Sequence, residues 1–334
     1  MLNILQWKAN SNIHIKMTNY LVTQAQKAIF ALQGDTKISL GYKTPQLSLK
    51  MFDTYILPIL EYNSELWTKT KQINEIERVQ LGYLKHMLGV RKQTPTLAVY
   101  GETGRFPLHI RQQLRMINYW LKLEKLPNDT ILKKCLIFQK SVYTNTSWFG
   151  KVRQILSNHN MNLDSLDNIE NIKGSLLRTF KGKLYEQYQD RFFSEINDQN
   201  SQPKLRTYRL IKKDLRTEPY LLLNISRKVY TKIARFRTSS HNLRIETGRH
   251  EIPKLPAENR ICNKCSLNEV EDEIHCLLVC PNQGVVREML FDLASNTVPN
   301  FQQLSNHDKF VAIMTTREPE LLKLIGKFLL SADV

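Results

Sequence analysis

Ile73-Asn-Glu-Ile-Glu-Arg-Val-Gln-Leu-Gly-Tyr-Leu-Lys-His-Met-Leu-Gly89 sets the fold class. Its apolar residues Ile73, Ile76, Val79, Tyr83, Leu84 and Met87 fall three or four apart, the repeat of one face of an α-helix, and Gly89 suits its end. The same repeat extends outward on both sides. Ala25, Ala28, Ile29 and Leu32 form one stripe, with Gly34 as the expected stop. Leu49, Phe52, Ile56, Ile59 and Leu60 form another, and Pro58 inside it should kink or end the helix. Pro107 opens a helix carrying Ile110, Leu114, Ile117 and Leu121, which Pro127 ends. Between these, Tyr100-Gly-Glu-Thr-Gly-Arg-Phe-Pro107 reads as a loop. Its glycines suit a phosphate cradle, but no Walker pattern is present, and a plain turn is the stronger reading. Only twelve Gly and twelve Pro occur in 334 residues, which favours long helices over many tight turns. The expectation is a mainly α protein.

Composition narrows the function classes. The chain is 42% hydrophobic and 24% charged, which excludes wholesale disorder. No apolar run reaches the roughly 18 residues of a membrane span. Trp7 and Lys8 stand where a signal peptide would place its apolar stretch, so an intracellular protein, nuclear or cytoplasmic, is expected, with no membrane partner. The net charge is +17, a surplus that points to a polyanionic partner, RNA or DNA first.

That surplus is concentrated. Residues 173–249 hold eighteen Lys and Arg against seven Asp and Glu. Aromatics lie between the cations, an arrangement that can neutralise phosphates and stack on unpaired bases. Lys204, Arg206, Arg209, Lys212, Lys213, Arg216, Arg235, Arg237, Arg244 and Arg249 are the candidate nucleic-acid contacts. Tyr185, Tyr188 and Phe192 have helical spacing and read as core instead. Residues 128–172 are less regular, with Asn and Ser recurring around Asn158 and from Asn162 to Asn171, and read as an irregular linker in which His159 is a surface histidine. The resulting division is 1–127 helical, 128–172 linker, 173–249 basic and helical, 250–284 a cysteine–histidine segment, and 285–334 a helical tail.

Four of the five cysteines fall between 262 and 280. Cys262 and Cys265 give C-x2-C, a turn that directs two thiolates at one point. His275 and Cys280 give H-x4-C, on a short helix stopped by Pro281. Three thiolates and one imidazole at this spacing suit tetrahedral zinc, and with four protein ligands no position remains for an activated water, so the metal would be structural. Two alternatives stay open. Cys276 shares a helix face with Cys280 better than His275 does and could replace it, or the cysteines could be buried without metal. The acidic residues Glu269, Glu271, Asp272 and Glu273 argue against this loop lying on phosphates.

These residues resemble a known family. Leu243-Arg-Ile-Glu-Thr-Gly-Arg249, Pro256-Ala-Glu-Asn-Arg-Ile-Cys-Asn-Lys-Cys265, Val270-Glu-Asp-Glu-Ile-His275 and Cys280-Pro281 look like the C-terminal CCHC segment of non-LTR retrotransposon polyproteins. Phe52-Asp-Thr-Tyr-Ile-Leu-Pro-Ile-Leu-Glu-Tyr62 with Glu65-Leu-Trp67 is similar to the helix that follows the palm of those reverse transcriptases. Thr94-Pro-Thr, Tyr100 to Pro107 and Ile117-Asn-Tyr-Trp120 also resemble them. The resemblance implies a thumb-like helical bundle in 1–127, a zinc-knuckle-like module and a nucleic-acid-binding role. The polymerase of that family needs a palm whose paired carboxylates hold magnesium, and no Asp-Asp pair occurs in this sequence. The chain alone is therefore expected to be non-catalytic, with activity as an RNA-directed DNA polymerase only if a palm lies upstream. A helical interaction protein with incidental charge is the remaining alternative.

Overall fold

The computed structural model describes residues 11–39, 44–67, 73–161 and 169–334. Trp7, Lys8 and most of the polar stretch 162–171 lie outside the described residues. Among the described residues there are fifteen α-helices and no strand, so the fold is mainly α.

Helix α1 (Ser11–Ser39) continues through Gly34, since one glycine in a long helical run costs only about 1 kcal/mol relative to alanine. Helices α2 (Pro45–Met51) and α3 (Leu57–Leu60) are joined by a widened, π-helical turn at Phe52–Ile56. Pro58 lacks the N–H that a regular ladder needs, and its ring crowds the carbonyl one turn back; the wider turn accommodates both, so the helix carries a bulge where a kink or an end was expected. Phe52, Ile56, Leu57 and Leu60 are all buried.

Helix α4 (Ile73–Leu88) ends just before Gly89, and buries Ile76, Val79, Tyr83, Leu84 and Met87 as its periodicity requires. Tyr100 to Thr103 belong to helix α5 (Thr96–Thr103), which corrects the loop expected from Tyr100 to Pro107. Only Gly104 onward is a turn, with Gly104 at φ +64°. A Cβ there would also lie 2.4 Å from the Thr217 nitrogen, so both conformation and space demand glycine. Helix α6 (Leu108–Glu124) follows Pro107 as expected.

The stretch read as a linker holds two helices, α7 (Ile131–Ser141) and α8 (Trp148–Asn158). Each starts on a hydroxyl cap: the Lys133 N–H donates to Thr130 Oγ1, and the Gly150 N–H donates to Ser147 Oγ. The repeat is legible in α8, where Phe149, Val152, Ile155 and Leu156 fall on one face and are buried, whereas α7 buries only Leu136 of its apolar residues. Helix α9 (Ile169–Asn197) buries Leu176, Phe180, Leu184, Tyr188, Phe192 and Ile196. That spacing of four winds slowly around a helix of 3.6 residues per turn. Helices α10 (Tyr208–Ile211), α11 (Arg227–Arg237), α12 (Arg244–Thr247), α13 (Gly284–Thr297), α14 (Asn306–Met314) and α15 (Pro319–Ser331) complete the chain.

The chain divides into two compact units whose bounds differ from the five segments expected. The first comprises residues up to 35, 51–80 and 106–193; the second comprises 36–50, 81–105 and 194–334. In the first, α6, α7 and α8 pack together. The Phe106 ring meets the edge of Tyr185 at 4.5 Å, and Tyr188 and Phe192 are buried, as read from their spacing. His159 is not a free surface residue: it is half-buried, with Nδ1 on Gln187 and Nε2 3.2 Å from Gln113.

In the second unit, α15 packs on α11 and α13. Gly326 permits the first contact, because a Cβ there would lie 2.2 Å from Val229 Cγ1. At the centre lies Arg237. Its Nε donates to Glu102 Oε2 at 2.9 Å, its Nη2 pairs with Glu218 Oε2 at 2.7 Å, and its Nη1 donates to the Met314 carbonyl. Tyr220 Oη donates to Glu102 at 2.6 Å. Burial alone would lower the Arg237 pKa, but the two carboxylates overcome this and hold it above its ordinary value. Removing one partner of a buried pair leaves uncompensated charge. Arg237→Met should therefore cost about 3–5 kcal/mol in urea unfolding, whereas Arg216→Met, at an exposed site, should stay within about 0.5 kcal/mol.

Candidate metal centre

The segment 260–280 is shaped by its backbone before any ligand is considered. Ile261 and Val270 form an isolated antiparallel bridge. The Cys262 N–H donates to the Glu269 carbonyl at 2.8 Å, and the Glu271 N–H donates to the Arg260 carbonyl at 3.0 Å. Asn268 turns the chain between them at φ +56°, a conformation asparagine tolerates better than most residues. The Lys264 N–H points at Cys262 Sγ at 3.4 Å, a contact that favours a thiolate there.

The second ligand pair comes from a helical start. Asp272 Oδ1 accepts from the His275 N–H at 2.8 Å, in the manner of a helix cap. His275–Val279 is then a π-helical turn, closed by the Cys280 N–H on the His275 carbonyl at 2.8 Å. In an ordinary α-helix residues five apart diverge. The wider turn brings His275 and Cys280 to one side, and such turns occur often at functional sites. Arg287, on α13, donates to the Leu277 carbonyl at 2.9 Å and to those of Cys276 and Cys280, satisfying the turn's last carbonyls.

Cys262, Cys265, His275 and Cys280 converge: their ligand atoms all lie within 4.8 Å of one another, and together they can hold a metal ion. Cys262 Sγ and Cys280 Sγ are 4.0 Å apart, and Cys265 Sγ is 3.5 Å from His275 Nε2. His275 Nδ1 lies 3.0 Å from Glu269 Oε2, so the carboxylate favours the tautomer that donates Nδ1–H to it and leaves the Nε2 lone pair facing the sulfurs. Cys276 lies outside this group; it is buried, and burial pushes its thiol up to about 12. Cys135 is on α7, in the other unit.

The centre is fastened to the second unit by ion pairs. Glu273 is fully buried; burial raises its pKa, but Arg206 at 2.7 Å and His241 at 2.9 Å more than offset this and hold it at about 2. Arg206 also pairs with Glu246 at 2.7 Å, and Arg249 with Glu246 at 3.2 Å. Glu271 Oε2 accepts from the Arg244 N–H at 2.8 Å.

These pairs correct much of the nucleic-acid list. Lys212 and Arg237 are buried, Lys212 with its Nζ on Glu218, and Arg206 and Arg249 are committed to internal carboxylates. A buried, paired cation cannot reach a phosphate. Arg209 donates to the Leu205 and Gln202 carbonyls, and Arg244 pairs with Glu251. Lys204 is half-buried, while Lys213 and Arg216 are exposed. Arg235 Nε donates to the Gly89 carbonyl at 2.7 Å, which sets it beside cations the sequence list omitted. Lys85 Nζ donates to the Lys92 carbonyl at 2.6 Å, the Arg91 N–H donates to Ser240 Oγ at 2.8 Å, and Arg227 Nη2 donates to the His86 carbonyl at 3.1 Å. Lys85, Arg91 and Lys92 lie outside the basic stretch 173–249, and Arg235 meets Gly89 across 146 residues, so a charge count along the chain does not join them.

No family model, curated protein or solved structure matches this chain.

Without a cation beside it, burial pushes the Cys262 thiol up to about 12, so metal binding must displace thiol protons. Metal affinity should therefore fall as pH is lowered, with protons released on binding. Elemental analysis should find one metal ion per chain in the wild type and in Cys276→Ser, and loss of it in Cys280→Ser. Loss in Cys276→Ser with retention in His275→Ala would reverse the ligand assignment.

Proposed function

We propose that this chain is a nucleic-acid-binding part of a non-LTR retrotransposon reverse transcriptase, with one structural zinc ion in its CCHC centre. The observation that carries the binding role is the cation cluster of the second unit: Lys85, Arg91, Lys92, Arg227 and Arg235. Lys85 and Arg235 rest on backbone carbonyls, Arg91 on Asn242, and Lys92 is exposed; the four form no ion pair with a carboxylate among the described residues. Their charge is therefore directed outward rather than neutralised internally, as phosphate binding requires.

Zinc is supported by donor chemistry and spacing. Three sulfurs and one imidazole suit a tetrahedral ion with bonds of about 2.3 Å to sulfur and 2.0–2.1 Å to nitrogen. Those bonds imply sulfur–sulfur edges of about 3.8 Å and sulfur–nitrogen edges of about 3.6 Å, close to the 4.0 and 3.5 Å found. Four protein ligands leave no open position, so the ion would organise the segment and activate nothing. Polymerase activity would need a palm with paired carboxylates, supplied in cis or trans.

The test is fluorescence anisotropy with a labelled single-stranded RNA. Binding should weaken steeply between roughly 50 and 200 mM salt. Arg91→Ala with Lys92→Ala should make the log–log slope shallower by about 1.4, at roughly 0.7 per phosphate contact on a single strand. An RNA affinity absent even at low salt would leave a helical interaction protein as the better reading. Magnesium-dependent nucleotide incorporation by the pure chain would overturn its non-catalytic assignment.

A further inference from the structure

A groove of about 730 Å³ in the second unit is lined by Lys213, Asp214, Arg216 and Arg317, with Ile211, Leu215, Pro219 and Leu222 among its apolar walls. The loop that forms it, residues 212–219, is held from beneath. Lys212, buried under the loop, donates to the Arg216 carbonyl at 2.9 Å and pairs with Glu218. The Glu218 N–H donates to the Glu102 carbonyl at 2.9 Å, and Thr217 Oγ1 donates to the Thr103 carbonyl at 2.9 Å. Gly104 gives the loop room to close on α5. The inward cation and carboxylate thus fix a backbone whose other cations face out: the Arg216 and Arg317 side chains are 69% and 70% exposed.

Asp214 is the acidic side chain facing those cations. Its Oδ2 accepts from Arg216 Nε at 2.8 Å and lies 4.0 Å from Arg317. Glu218 also lines the groove but is neutralised from beneath by Lys212 and Arg237, so three cations around the remaining carboxylate leave the groove positive, and Asp214 holds the Arg216 guanidinium where an incoming phosphate oxygen could replace its own.

We propose that this groove binds the phosphate backbone of single-stranded nucleic acid, with Lys213, Arg216 and Arg317 as the phosphate contacts and Asp214 as a competing internal anion. The proposal rests on the nucleic-acid-binding reading above. The volume is that of a small-ligand site and admits one strand, whereas a duplex would meet only the rim. No aromatic residue lines the groove, so there is no stacking platform, and binding should be insensitive to base identity.

The experiment compares the full-length wild type, Lys213→Ala/Arg216→Ala/Arg317→Ala and Asp214→Asn on labelled single-stranded and duplex RNA of about 15 nucleotides. The triple variant should shorten the single-strand salt slope by about 2, at roughly 0.7 per contact, with the duplex slope unchanged. Asp214→Asn keeps the side-chain shape and removes the competing charge, so it should bind the single strand more tightly. An unchanged single-strand slope in the triple variant, an equal loss on duplex, or weaker binding by Asp214→Asn would each overturn the groove assignment. Absence of RNA binding by the wild type would instead overturn the nucleic-acid reading on which it rests. All four side chains lie at the surface, and circular dichroism should show equal helix content in every variant.

Discussion

The second unit depends on a cation that has left water. Arg237 lies between Glu102 and Glu218, and a guanidinium in that position is tolerated only with carboxylates and carbonyls around it. The arrangement constrains three distant stretches at once. Glu102 is on α5, Glu218 closes the 212–219 loop, and Met314 ends α14. An apolar contact could tolerate a shift of register here; a buried charge with fixed partners cannot. The same Glu218 receives Lys212, so the loop that frames the basic groove is set by the ion pair at its base.

The metal centre follows a similar logic on a smaller scale. Its ligands are placed by backbone hydrogen bonds: the Ile261–Val270 bridge for the C-x2-C turn, and the widened turn at His275–Val279 for the second pair. The apolar side chains of this segment are few, so a bound ion would supply cohesion that packing does not. Glu273 and Arg206 tie it to α12 and to the loop before α10 through Glu246. Ligand geometry and ion-pair framework therefore reinforce one another.

Net charge has two fates in this protein. Arg206, Lys212, Arg237 and Arg249 are used internally, against Glu102, Glu218, Glu246 and Glu273. Lys85, Arg91, Lys92, Lys213, Arg216 and Arg317 lie elsewhere: Lys85 and Arg91 rest on neutral groups, Lys92 is exposed, and the others border the groove. A charge count along the sequence cannot separate these sets, because a buried carboxylate partner may be more than a hundred residues away.

The sequence by itself determined the helical class, the α4 and α6 helices, the core role of Tyr188 and Phe192, and the C-x2-C pair and Cys280 of the candidate metal cluster. Each of these is a local pattern: a three-to-four repeat, a proline start, or a C-x2-C pair followed by His and Cys. Tertiary structure decided the rest. It packed two helices, α7 and α8, on α6 within the stretch read as a linker. It chose His275 over Cys276 for the cluster through a π-helical turn, which a 3.6-residue repeat does not anticipate. It also withdrew Lys212 and Arg237 from the surface and placed Lys85, Arg91 and Lys92 beside α11. Those outcomes depend on which carboxylates and carbonyls meet each cation in three dimensions, and the energy of burying a charge is fixed by that meeting rather than by neighbours along the chain.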